Sequence, residues 1–412
     1  MKQAAVVFVI ALLLHVAYFL CDTNSIERDS PKYLIPAENL ISGHGLTLGE
    51  IADTDRTPGY PLFLAVLRAI GLTVRQIALL QHIASALAAA ALVFLARSMT
   101  RNEFIAFVSG MVAAIDLPTI HHANLILTES LFMLLALALF ALIWRIAHGS
   151  NHEVAAGLLL GAMVLVRPVT MLLFIPLALY LAWTRRDAAR RIVPLFVAGA
   201  LLLPAMWLVR NYRVSGVPTL STNSAVLLLY FHAAGVLAID DPGDFDANFA
   251  RRQTELRQIA AARARAAFGV DDVRTIPYAK RAAIDKKLGR EIVLAHPLAF
   301  ARLFVRGLAG DLLGGGAEAL TRVTTLSRTT ASRLLLVYTS LALLLALVGQ
   351  VWLLKNDRIL GVQILIFVGY FIAFTAGALS YSRFRVPVVP MYAMAVAAGI
   401  QAIRSRIERL WR

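Results

Sequence analysis

About ten runs of apolar residues, most of them near 20 long, leave this sequence few folds to choose from. A helix rising 1.5 Å per residue needs about 20 such residues to cross the roughly 30 Å hydrocarbon layer of a bilayer. In lipid the backbone must satisfy its own hydrogen bonds within each helix. The expected class is therefore all-α, a polytopic bundle forming one membrane-embedded domain over 1–412. Composition agrees: 59% of the 412 residues are hydrophobic and 16% charged, where a soluble domain has about 25% charged.

The spans are expected at 3–20, 76–96, 103–119, 125–146, 154–166, 170–183, 192–209, 334–354, 359–380 and 386–403. The pair around Arg167 and Pro168 is short, either a re-entrant hairpin or two crossings, and two crossings keep every later side consistent. The first run resembles a signal peptide, but Leu20 stands where a small residue would precede a cleaved bond. An uncleaved first helix is expected.

A formal charge of +15 could point to nucleic acid. The basic residues, however, sit beside apolar runs and not in a separate polar domain, which is the pattern of membrane orientation. Arg97 with Arg101, Arg145 with His148, Arg185, Arg186, Arg190 and Arg191, Lys355 with Arg358, and Arg404, Arg406, Arg409 and Arg412 fall on alternate loops counted from Lys2. That assigns both termini to the cytoplasm of a bacterial inner membrane, and 21–75, 121–124, 210–332 and 381–385 to the outer face. Arg383 and Arg385 break the rule in a short outer loop and need a reason. Cys21 is the single cysteine, so intramolecular disulfides and thiolate metal cages are excluded.

Two outer segments are long enough to carry chemistry. The first, 21–75, holds helix-like stretches at 31–41 and 60–70. The second, 210–332, holds stretches at 248–268, 277–295 and 297–313, the last amphipathic, with Phe300, Leu303, Phe304 and Leu308 at helical spacing. These helices are expected to lie in the membrane interface. The chain has no internal repeat and no inverted pair of broken helices of the kind that marks many transporters.

Several residues at the outer helix ends are candidates for chemistry. Asp29, just before Pro31, is either a general base for a hydroxyl or a helix N-cap. Arg56 lies in a turn fixed by Pro58, Gly59 and Pro61, and an arginine fork there can grip a phosphate. Asp53 and Asp55 beside it are either a metal pair or solvated loop acids. Glu129 opens an apolar helix, as a functional acid or as a first-turn acid favoured by the helix dipole. Arg167, Arg210, Arg213, Arg383 and Arg385 gather cations on the same face, for a phosphate or for lipid headgroups. His121 and His122 lack a second ligand pair at helical spacing and do not make a zinc site.

In their order along the chain, these segments resemble the membrane glycosyltransferases of the GT-C superfamily, which includes protein O-mannosyltransferases and lipid A aminoarabinose transferases. The residues carrying the resemblance are Asp29-Ser-Pro-Lys-Tyr33 with Ala37-Glu-Asn-Leu40, Arg56-Thr-Pro-Gly-Tyr-Pro-Leu-Phe-Leu-Ala65, Leu127-Thr-Glu-Ser-Leu-Phe132, Val166-Arg-Pro168, Arg210-Asn211, Ala295-His-Pro297 and Arg383-Phe-Arg-Val-Pro-Val-Val-Pro390. The resemblance implies a sugar on polyprenyl phosphate as donor, membrane lipids around it, and a lipid, glycan or protein acceptor on the outer face, with inversion at the anomeric carbon. It gives Asp29 and Glu129 catalytic roles and donor-phosphate roles to Arg383, Arg385, Arg56 and Arg210. No cofactor is implied with certainty. A divalent metal is left open, although Ser30 stands where several relatives carry a second acid. The competing readings are a polymerase or ligase of lipid-linked glycans and a flippase for a lipid-linked anion.

Overall fold

The computed structural model describes residues 1–48 and 51–411. Helix α1 (Lys2–Cys21) leads into a segment holding α2 (Pro31–Ile41), a two-residue antiparallel pair β1 (Thr47–Leu48) and β2 (Ile51–Ala52), and α3 (Gly59–Ala69). The next helix, α4 (Val74–Thr100), opens on a capping box: the Thr73 side chain accepts from the Gln76 amide, while the Gln76 side chain accepts from the Thr73 amide. Helices α5 (Glu103–Ala114) and α6 (Leu117–Ala123) bend by 52° where Asp116 caps the second of them. Helix α7 (Glu129–Ala147) follows.

Helix α8 (Glu153–Val166) stops at Arg167, whose extended backbone is the conformation a residue before proline prefers. Pro168–Leu172 is one 3-10 stretch, then come α9 (Phe174–Thr184) and α10 (Ala189–Ser215). The second long segment contains α11 (Asn223–Leu227), a π turn at Leu228–Ala233, α12 (Ala234–Ala238), α13 (Phe245–Phe268), α14 (Tyr278–Ala295), α15 (Pro297–Leu313) and α16 (Ala317–Val323). The chain closes with α17 (Arg328–Asn356), α18 (Arg358–Thr375), a 3-10 stretch at Ser382–Val388 and α19 (Val389–Leu410).

Seven of the expected spans are long and apolar enough to cross a bilayer alone: α1, α4, α7, α10, α17, α18 and Ser382–Leu410. The expected span at 103–119 is the bent pair α5 and α6, and the two flanking Arg167 are short apolar helices. The helices approach closely where both partners are small. A Cβ at Gly161 of α8 would lie 3.0 Å from the Ala200 carbonyl oxygen of α10, and one at Gly349 of α17 would collide with the backbone of Ala395 and Gly399 in α19.

The bundle has two distinct ends. At one, Arg97 pairs with Glu103 at 2.6 Å, Arg185 donates to the Ile146 carbonyl at 2.9 Å, Arg191 donates to Asn151 at 2.6 Å, and the Arg358 guanidinium lies over the Trp183 ring. The basic loops assigned to one side thus gather at one end, although Arg412 lies outside the described residues. At the other end the two long segments meet: the Thr222 amide donates to the Thr54 carbonyl at 2.8 Å, and Arg322 pairs with Glu27 at 3.1 Å. Gly49 and Glu50 of the first segment fall outside the described residues. The stretch Tyr278–Ala295 with Pro297–Val323 is apolar enough to be a bent span, but it turns by 98°. Because 210–332 leaves and returns at the same end, this stretch makes no net crossing.

Candidate active site

Five elements converge on a cluster of charges at the end where the two long segments meet. Asp29 stands in the turn before α2. It does not cap that helix, since Ser30 holds the cap position and its hydroxyl accepts instead from the Glu27 amide at 2.9 Å. The Asp29 carboxylate faces two arginines: Arg56 Nη2 donates to Oδ1 at 3.0 Å, and Arg383 Nη1 lies 3.6 Å from Oδ2. Its side chain is 33% exposed and so open to a substrate.

Arg56 is held by the turn that precedes α3. The Asp55 amide donates to Asp53 Oδ1 at 2.7 Å, and the backbone carbonyl of Asp55 accepts from the Ser221 hydroxyl at 2.5 Å. Asp55 pairs with Lys32 at 3.4 Å and with Arg56 Nε at 3.7 Å. The Arg56 guanidinium lies over Tyr33, which packs edge-on against Tyr60. Burial works against the Arg56 cation, but Tyr33, Asp29 and Asp55 outweigh it and hold its pKa above the usual value.

Arg383 sits in the 3-10 stretch before α19. Its Nε donates to Glu129 Oε1, and its Nη1 lies 3.5 Å from the Tyr381 hydroxyl. Glu129 has 0% exposure and takes a second cation, Arg167 Nη1, at 3.5 Å. A buried carboxylate between two guanidinium groups is anchored by both, and fixes both in turn. Glu129 therefore backs the site and does not line its surface.

Lys32, Arg56, Arg167 and Arg383 thus face Asp29, Asp55 and Glu129, which leaves one positive charge in excess. Two buried donors, Arg56 Nε and Arg167 Nη1, make no hydrogen bond among the described residues. Such donors suit the oxygens of an incoming anion. The donor set does not suit a divalent cation, because each Asp29 oxygen faces an arginine. Among the described residues no three His, Cys, Asp or Glu side chains gather as metal ligands.

Two of the expected phosphate ligands bond elsewhere. Arg385 is buried, and its Nη1 donates to the carbonyls of Asp311 at 3.2 Å and Leu312 at 2.9 Å. Arg210 Nη1 donates to the Asp53 carbonyl at 2.6 Å and to Asn211 at 2.8 Å. Both hold backbone in place behind the site. His121 and His122 are likewise bonded, to the Tyr18 hydroxyl and the Pro118 carbonyl. Conversely, Lys32, Tyr33 and Tyr381 join the cluster without a signal of their own in the sequence, and Asp55 joins it as an ion-pair partner of Lys32 and Arg56. Arg167 was visible as one more outer cation before a proline, but nothing in sequence tied it to Glu129.

Residues 55–209 match the family described as dolichyl-phosphate-mannose-protein mannosyltransferase. That stretch contains Arg56, Glu129 and Arg167 but neither Asp29 nor Arg383. Among solved structures, the chain is similar to an oligosaccharyltransferase from Archaeoglobus fulgidus, crystallised with a tethered acceptor peptide containing the NVT sequon. The two are 14% identical with a TM-score of 0.50, over 99% of this chain and 50% of the other. The fold is the GT-C fold. The chain spans half the length of that oligosaccharyltransferase. It is also similar to ArnT from Cupriavidus metallidurans bound to undecaprenyl phosphate, with 15% identity over 97% of this chain and 78% of the other and a TM-score of 0.45. No curated protein matches the chain. Within the GT-C fold, the charge cluster lies where the first segment after α1 meets the last turn before α19.

Proposed function

We propose that this chain is an inverting glycosyltransferase that moves a sugar from a polyprenyl-phosphate donor to a lipid, glycan or protein acceptor on the outer face of a bacterial inner membrane. The observation carrying this reading is the partly exposed Asp29 carboxylate flanked by Arg56 and Arg383, with Arg383 and Arg167 both anchored on the buried Glu129. The mannosyltransferase match over residues 55–209 supports it.

The donor phosphate takes the place of Asp29 against Arg383 and Arg56, with Arg56 Nε and Arg167 Nη1, which make ion pairs but no hydrogen bond, as further donors. Asp29, freed from these partners, accepts the proton of the acceptor hydroxyl. That oxygen forms the new bond to the anomeric carbon from the side opposite the phosphate. The bond between carbon and phosphate oxygen breaks, its electron pair passes to the phosphate, and the arginines stabilise the charge that develops there. The apolar faces of the bundle accommodate the prenyl chain in the bilayer.

Membranes holding the chain, given polyprenyl phosphate carrying a labelled sugar, should transfer label to acceptor. Movement of intact donor across the bilayer is measured in parallel. Donor crossing with no sugar transfer by the unaltered protein would instead identify a flippase.

A further inference from the structure

Helix α15 grips the turn that presents Arg383. Gly307, Gly310 and Asp311, with Gly314 just past the helix end, recur at helical spacing on one face. A Cβ at Gly307 would collide with the Gly377 amide nitrogen, one at Gly310 with the Ser380 carbonyl, and one at Gly314 would lie 3.1 Å from the Ser382 nitrogen. Beyond Arg383, the Arg385 Nη1 donates to the Asp311 and Leu312 carbonyls. The chain on both sides of Arg383 is thus held by one helix of the 210–332 segment.

Asp311 is 0% exposed, and no step of the transfer uses it. Thr375, at the end of α18, donates its hydroxyl to Oδ2 at 2.9 Å. The Ser380 hydroxyl and the Tyr381 amide also face the carboxyl, yet Oδ1 completes no hydrogen bond among the described residues. Packing alone does not call for an acid here, because a buried carboxyl with an unpartnered oxygen costs stability. Burial pushes its pKa up to about 7, against the pull of Thr375, Ser380, Arg385 and the Tyr381 amide. Arg385 is the cation that faces it, and Arg385 also lies 3.8 Å from Asp116. The His232 ring lies against Gly377 in the same turn, and burial lowers its pKa, which leaves it neutral near pH 7.

We infer that Asp311 is a positioning residue for the transfer: its carboxylate, seated between Thr375 and the turn at 380–381, fixes the backbone from which Arg383 reaches the donor phosphate. This rests on the glycosyltransferase reading for the identity of that phosphate, but the grip on it can be measured without transfer. Glu129 holds the side chain of Arg383 and Asp311 holds its main chain, so two acids from different elements set one cation. An ionised carboxylate only accepts, and it draws in the Thr375 and Ser380 hydroxyls and the Tyr381 amide together. Once protonated, or replaced by an amide, it presents a donor of its own to those donors, and the turn loosens.

The test is Asp311→Asn in the full chain, with KM for polyprenyl phosphate carrying a labelled sugar, kcat and Tm measured at pH 8 and pH 5.5. At pH 8 the variant's KM should be roughly tenfold above that of the unaltered protein, the equivalent of one lost hydrogen bond to a charged group, with kcat nearly unchanged and Tm not lowered. At pH 5.5 the ratio of the two KM values should fall toward one, because the unaltered protein then carries a neutral carboxyl too. Thr375→Val should raise KM less, and adding it to Asp311→Asn should raise KM no further. An unchanged KM overturns the inference. So does a fall in Tm or kcat at constant KM, which would make Asp311 purely structural, and so does a KM ratio that ignores pH. If the unaltered protein transfers no sugar, its affinity for polyprenyl phosphate in nanodiscs of neutral lipid replaces KM. Weaker binding by the variant then keeps the positioning role while the glycosyltransferase reading fails, and equal binding removes the role as well.

Discussion

Glu129, wholly buried at the start of α7, accepts from the Nε of Arg383, a residue 254 positions further along the chain. This contact ties the start of α7 to the turn before the last helix, and Arg167 joins it from a third element. Glu129→Gln keeps the shape but leaves two guanidinium groups without their anion. Removing one partner of a buried charge network costs about 3 kcal/mol, so thermal unfolding in detergent should show a clearly lowered Tm. Sugar transfer should fall on the order of a hundredfold, through misplacement of Arg383.

Arg383→Lys keeps the charge but cannot serve Glu129 and Asp29 at once, because the ammonium is one point where the guanidinium is a planar fork. A large rise in KM for the polyprenyl donor is expected, measured by labelled-sugar transfer. Arg213 is exposed near the end of α10, and Arg213→Lys should leave KM unchanged. Equal tolerance at the two positions would remove the phosphate role from Arg383.

How far the sequence reached depends on the kind of residue. Arg383 was legible because a cation in a short outer loop opposes the ordinary orientation rule, and Glu129 because an acid at the edge of an apolar helix is costly without a partner. Arg385 carried the same signal but turns away. In a 3-10 turn successive residues are about 120° apart, so side chains two positions apart diverge, and that turn type was not apparent beforehand. The bonds of Arg210 were not legible for another reason: the carbonyls it serves, of Asp53 and Leu46, come from a loop far away in sequence. Lys32 and Asp55 likewise acquire meaning only when α2 and the turn before α3 fold together. The order of the long helices, by contrast, follows from run length alone. Of the short helices around Arg167, the first ends at Val166 as expected, whereas the second begins at Phe174 and not at 170, because Pro168–Leu172 forms a 3-10 stretch.

Gly59 begins α3 where it touches the end of α8. A Cβ there would lie 2.7 Å from the Leu165 carbonyl oxygen and 2.8 Å from Val166 Cγ2. Gly59→Ala therefore forces apart the two elements that carry Arg56 and Arg167. A destabilisation of about 1 to 3 kcal/mol is expected, seen as a lowered Tm, together with reduced transfer. A Tm equal to that of the unaltered protein would show that the contact yields.

Burial pushes the Asp53 carboxyl above its ordinary pKa, an effect that its backbone hydrogen bonds and Arg210 only partly offset. A carboxyl whose pKa is raised on folding adds stability below its unfolded pKa and loses that contribution as pH rises through the folded value. Asp53→Asn keeps an acceptor for the Asp55 amide and removes the buried charge. Its Tm relative to the unaltered protein should therefore be higher at pH 7.5 than at pH 4. A difference that does not change with pH would contradict this assignment.

The central claim is that Asp29 is the base of a sugar transfer and not a structural residue, and its partly exposed carboxylate between Arg56 and Arg383 makes the claim directly testable. The measurement is transfer of labelled sugar from polyprenyl phosphate to acceptor by Asp29→Asn in membranes, alongside its Tm and its affinity for the donor. Transfer is expected to be lost, while Tm stays near that of the unaltered protein and the donor remains bound, since the amide preserves shape and the arginines are untouched. Transfer at the rate of the unaltered protein would contradict the account.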